Sequence, residues 1–93
     1  MSYRSVESTA EMFTKTKHAA YVMTLRKIQD GWVESVLTTP FRVDDDLCDP
    51  GLQHFLAPIA DCERRVLQVI VKRATMPPLV ITAFFDRTLK GKL

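Results

Sequence analysis

The sequence predicts a small α+β domain in which helices pack on one face of an antiparallel sheet, and three observations carry that expectation. Two apolar, β-branched runs, one over 65–73 and one over 79–86, are joined by a Thr75-Met76-Pro77-Pro78 break and read as a hairpin inside a sheet. The chain before them carries two short stretches with helical spacing. Its 93 residues, 46% hydrophobic and 26% charged, suit one ordinary folded domain.

Taken in order, residues 1–11 are rich in Ser, Thr and Glu without periodicity and read as a flexible arm. Residues 12–15 read as a brief strand, and Thr16 as the N-cap of a helix over 17–27. In that helix Tyr21, Leu25 and Ile28 fall at i, i+4 and i+7, with Val22 and Met23 widening the stripe, so this face is expected in the core. Asp30 is expected to cap a second helix over 31–38, with Val33, Val36 and Leu37 inward and Pro40 ending it. The short linker fits a helix-turn-helix, but the second helix offers mainly Glu34, Ser35, Thr38 and Thr39, a poor set for reading base edges.

Residues 41–43 read as a short strand, followed by a solvated acidic loop with Asp44-Asp45-Asp46 and Asp49-Pro50-Gly51. The alternating acidic ligands of an EF-hand are absent from it. Residues 52–59 form the next strand, placing Leu52, His54 and Leu56 on one face and Gln53, Phe55 and Ala57 on the other. The runs 65–73 and 79–86 are apolar on both faces through their middles, as strands inside a sheet are. Residues 88–93 read as a mobile basic tail.

Composition excludes several classes. No apolar run approaches the roughly 20 residues of a membrane span, and no secretory h-region opens the chain, so a cytoplasmic location without a membrane partner is expected. Cys48 and Cys62 lack CxxC or Cys/His spacing and read as free thiols; no metal or other cofactor is implied. The net charge of +2 is uneven: six basic against nine acidic residues up to Asp61, then seven against two from Cys62 onward. Such asymmetry marks either a phosphate-binding face or a solvated edge with a basic tail.

Several segments together resemble one family. They are Thr16-Lys17-His18-Ala19 with Met23, Arg26 and Ile28; Val36-Leu37-Thr38-Thr39-Pro40; His54-Phe55-Leu56-Ala57-Pro58; Arg65-Val66-Leu67; and Val80-Ile81-Thr82-Ala83-Phe84-Phe85-Asp86. The pattern, over about residues 13–87, resembles the small bacterial proteins grouped as domain of unknown function 4258; Val22 stands where the family commonly has arginine. That family is distantly similar to RelE/ParE-type toxins, which include ribonucleases acting on the ribosome and inhibitors of gyrase. The resemblance implies one RelE-like domain over residues 1–93, with two N-terminal helices on a curved antiparallel sheet of about four strands. It also implies RNA or the ribosome, a cognate antitoxin or a second copy of the chain as partners.

Metal-independent RNA cleavage needs an acid, a base and cations for the developing charge. His18 and His54 are the candidates for acid and base; Arg26, Arg65, Lys72, Thr82 and Arg87 are the candidates for substrate binding. Each also has a structural reading. His18 can support its helix, His54 and Thr82 can be hydrogen-bonded sheet residues, and Trp32, Phe84 and Phe85 can be core. The competing function is a non-catalytic protein-interaction module, which would show separated histidines and an exposed apolar patch.

Overall fold

The computed structural model describes residues 12–89 and 91, so the expected arm over 1–11 and most of the tail beyond Leu89 lie outside the described residues. In chain order the elements are β1 (Thr14–Lys15), α1 (Lys17–Arg26), α2 (Asp30–Thr38), β2 (Arg42–Asp45), β3 (Leu52–Ile59), β4 (Arg65–Lys72) and β5 (Leu79–Asp86), with short 3₁₀ turns at Ala60–Cys62 and Arg87–Leu89. Thr88 and Leu89, expected in a mobile tail, thus belong to a hydrogen-bonded turn.

The sheet corrects the expected architecture. It has five strands in the order β1-β5-β4-β3-β2, and it is mixed: β1 runs parallel to β5 while the other pairs are antiparallel. The helices therefore follow the brief strand expected before Thr16, and what the sequence did not show is its parallel partner. The cause is long-range: the extended residues before α1 find a partner far along the chain, with Thr14 N donating to Pro78 O at 2.9 Å and Thr16 N to Val80 O at 3.1 Å. The β4–β5 hairpin lies inside the sheet as expected, and the Met76-Pro77 peptide in its connection is cis.

Helix α1 starts as its sequence dictates, with Thr16 Oγ1 accepting from Ala19 N at 3.0 Å. It ends in a Schellman motif: Lys27 turns left-handed at φ 57°, its N–H reaches Thr24 O, and Ile28 N reaches Met23 O at 2.8 Å. Its phase differs in part from expectation. The buried face is Ala19, Val22 and Met23, whereas Tyr21 and Leu25 are 64% and 63% exposed. Wholly buried Ala19 has no bulk to hold the helix off β5, and Tyr21 sits about 200° around the helix from it.

Helix α2 begins at Asp30, and the residue preceding it, Gln29, is the N-cap without a side-chain bond. Asp30 is therefore not the cap; as the first helical residue its carboxylate accepts from Lys15 Nζ at 3.1 Å. Together the helices cover one sheet face, where Met23, Ile28, Val33 and Val36 meet Ala57, Ile59, Leu67, Val69, Val71, Val80 and Ala83. Each large side chain in this layer contributes about 1.5–3 kcal/mol by leaving water. Alternation sends His54, Leu56, Val66, Gln68, Ile70, Thr82, Phe84 and Asp86 to the opposite face, with an irregularity between Ile70 and Val71. No described helix is long and apolar enough to cross a membrane.

Candidate functional site

Two constellations stand out. The first is a polar seam on the helix-free face of the sheet. His54, on β3, donates from Nε2 to Asp46 Oδ1 at 2.7 Å, and its Nδ1 meets Gln68 Oε1 on β4. Gln68 Nε2 continues to Asp86 Oδ2 on β5 at 3.2 Å, and Asp86 Oδ1 accepts from the backbone N–H and hydroxyl of Thr88. Each end of the seam is a carboxylate, so donors point outward from its middle: His54 Nε2 to Asp46 and Gln68 Nε2 to Asp86. Both ring nitrogens of His54 thus have a side-chain partner, one on the acidic turn and one on β4.

Asp46 corrects the solvated-loop expectation, because it turns back onto the sheet. Its carboxyl is held below the ordinary range first by the His54 bond and then by the N–H groups of Cys48 and Asp49, with partial burial opposing. The neighbouring aspartates are also engaged: Asp44 accepts from Arg42 Nε at 2.9 Å and Asp45 from Arg73 Nη2 at 2.6 Å. Asp44, Asp45, Asp46, Leu47, Cys48 and His54 line a shallow, acidic cavity of about 370 Å³. No group of three or more potential ligands for a metal ion occurs among the described residues.

The second constellation is a basic cleft of about 480 Å³ lined by Arg26, Arg65, Phe84, Phe85 and Arg87. It forms where α1 ends, β4 begins and β5 ends. Arg26 Nη1 donates to Ala83 O at 2.9 Å, across the part of β5 that β1 does not pair. Arg65 Nε donates to Cys62 O at 3.3 Å while its guanidinium sits 4.5 Å from the Phe85 ring centroid, a cation–π contact. Trp32 meets Phe85 edge-on at 6.0 Å. Two of the three guanidinium groups are thus oriented by backbone carbonyls with N–H groups to spare. Among the described residues none of the three has a carboxylate partner.

The cleft brings together Arg26, Arg65 and Arg87 from the expected substrate-binding set and leaves out the other two. Lys72 lies at the far end of β4, paired with Leu52 and Leu79, and Thr82 lies on the helix-free face opposite Ile70. His18 is exposed in the first turn of α1 and shares neither hydrogen bond nor cavity with His54 among the described residues. Phe84 and Phe85, read as core, are half-buried cleft walls. Asp46 and Gln68 were not among the expected site residues; Gln68 is a lone amide in an apolar strand, and that is the signal it gave.

Residues 15–85 match the model of the family described as domain of unknown function (DUF4258). No curated protein and no solved structure matches the chain.

Proposed function

The chain belongs to the DUF4258 family, and from that premise we propose that it is an RNA-binding domain of the RelE/ParE toxin type, taking single-stranded RNA phosphate at the Arg26, Arg65 and Arg87 cleft. The observation that carries the reading is the convergence of three arginines without carboxylate partners on one cavity, where the Phe85 ring backs Arg65. Planar guanidinium forks match phosphate oxygens in pairs, and single strands are the form of RNA that proteins most readily engage outside the closed geometry of a duplex. The excess of seven basic over two acidic residues from Cys62 onward adds a long-range attraction for a polyanion.

The seam argues for binding without cleavage. A general base needs a free lone pair, and both nitrogens of His54 are occupied, while His18 stands apart on α1. As a toxin-type domain, the protein would be held in check by a partner that covers the same cleft. Anisotropy titration of an internally labelled, unstructured RNA tests the reading. Binding should weaken steeply between about 50 and 200 mM salt. Arg65→Ala and Arg87→Ala should each weaken it, and the RNA should remain intact on a gel. Absence of binding at low salt would sink the proposal.

Two observations favour a second reading, the protein-interaction module: His18 and His54 are separated, and Tyr21 and Leu25, one turn apart on α1, are both mainly exposed. A self-association that the Tyr21→Ser/Leu25→Ser variant abolishes in light scattering would support it; a monomeric wild type that retains RNA binding would dismiss it.

A further inference from the structure

We infer that the basic cleft is shaped for the phosphomonoester end of an RNA strand instead of an internal phosphodiester. This rests on the RNA-binding reading above and narrows its ligand. The first support is charge. Three guanidinium groups face one cavity and none is ion-paired to a carboxylate among the described residues, whereas an internal diester brings a single negative charge. A phosphomonoester carries about −1.5 to −2 near neutral pH and three acceptor oxygens.

The second support is layout. A groove that follows a strand along its backbone needs cations in a row, with sites of about 4–16 nucleotides in single-strand binders. Here three of the cations without a carboxylate partner line a single cavity. The next basic residue on β4, Lys72, lies at the opposite end of an eight-residue strand, about 23 Å from Arg65 at the usual rise. Arg73, just past the strand, is already tied to Asp45 and to Pro50 O. A cavity of about 480 Å³ is on the scale of a small-molecule pocket and not of a track.

The third support is the ring pair. Phe85 is engaged by Arg65 on its face and by Trp32 at its edge. With Arg65 and Trp32 already on the Phe85 ring, and Phe84 pointing to the helix-free face, the cavity offers guanidinium groups for a terminal phosphate and no free ring for a run of stacked bases.

The test uses the full chain and three versions of one unstructured hexaribonucleotide with an internal dye: 5′-phosphorylated, 3′-phosphorylated and hydroxyl at both ends. One phosphorylated form should bind about tenfold tighter than the hydroxyl form, as charge-assisted bidentate contacts predict. Which end is preferred identifies the source of the phosphate. The preference should shrink as pH falls through about 6, where the monoester takes up its second proton. Arg87→Ala and Arg65→Lys, with folding checked by circular dichroism, should bring the phosphorylated form down to the hydroxyl level. Equal affinity for all three oligonucleotides would overturn the inference and leave RNA binding standing. A preference that survives both substitutions would also overturn it. Failure of every oligonucleotide to bind would overturn the RNA-binding reading as well.

Discussion

Asp46 accepts the Nε2 proton of His54 at 2.7 Å, although the two residues are separated by the acidic turn. That bond pins the turn between β2 and β3 to the sheet, and its loss should be visible as pH changes. Asp46 is held below its ordinary value of 3.8 in the folded chain, chiefly by His54. A depressed carboxyl contributes stability above its unfolded value and loses that contribution as pH falls through the folded one. Asp46→Asn should therefore lower the urea midpoint at pH 7, and the gap from wild type should close below about pH 4. A constant gap across that range would show that the charge of Asp46 is not what matters.

Gln68 joins His54 to Asp86 and is only 8% exposed. Gln68→Leu would leave a ring nitrogen and a carboxylate oxygen facing an apolar side chain. The expected cost is about 1–3 kcal/mol in denaturant unfolding. A neutral result would mean that water substitutes for the amide on both sides.

These two residues show how far the sequence could be read. Alternation along β3, β4 and β5 places His54, Gln68 and Asp86 on one face, but the bonds between them run diagonally. Directly opposite residues are instead His54 with Ile70 and Gln68 with Phe84. Only the register reveals the diagonal, and no single-strand pattern encodes it. The Thr16 cap was legible because it is a local bond across three residues. The phase of α1 was legible in part: Val22, Met23 and Ile28 are buried as expected, but Tyr21 and Leu25 extend the same apolar stripe and are turned outward by the close approach of Ala19 to β5. The three arginines were legible as cations and not as a cleft, since they come from three elements.

Lys27 ends α1 in the left-handed region at φ 57°, where a side chain costs energy that glycine avoids. Lys27→Gly should stabilise the fold by about 0.5–1 kcal/mol while preserving the Ile28-to-Met23 bond that closes the helix. A drop in thermal midpoint would mean that the Lys27 side chain makes a stabilising contact larger than the strain.

Arg26 and Arg87 separate stability from binding. Arg26 satisfies the carbonyl of Ala83, so Arg26→Ala should cost about 0.5–1.5 kcal/mol and weaken RNA binding. Arg87, exposed and without a hydrogen bond among the described residues, should weaken binding when replaced by alanine and leave the unfolding curve within about 0.5 kcal/mol of wild type. Equal stability losses in the two variants would contradict this division.

The parallel pairing of β1 with β5 also orders events during synthesis. Thr14 and Lys15 leave the ribosome before both helices, yet their partners Leu79 and Val80 come from the last strand to be made. Contacts of such long sequence separation form late. The amides of Thr14 and Thr16 should accordingly exchange with deuterium well before those of Leu67 and Val69, which lie in the interior of the sheet. The strand made first is the last to be placed. Until β4 and β5 emerge, Met23, Val33 and Val36 have at most the β2–β3 pair to cover, so the nascent chain carries much of its core face open until those strands are made.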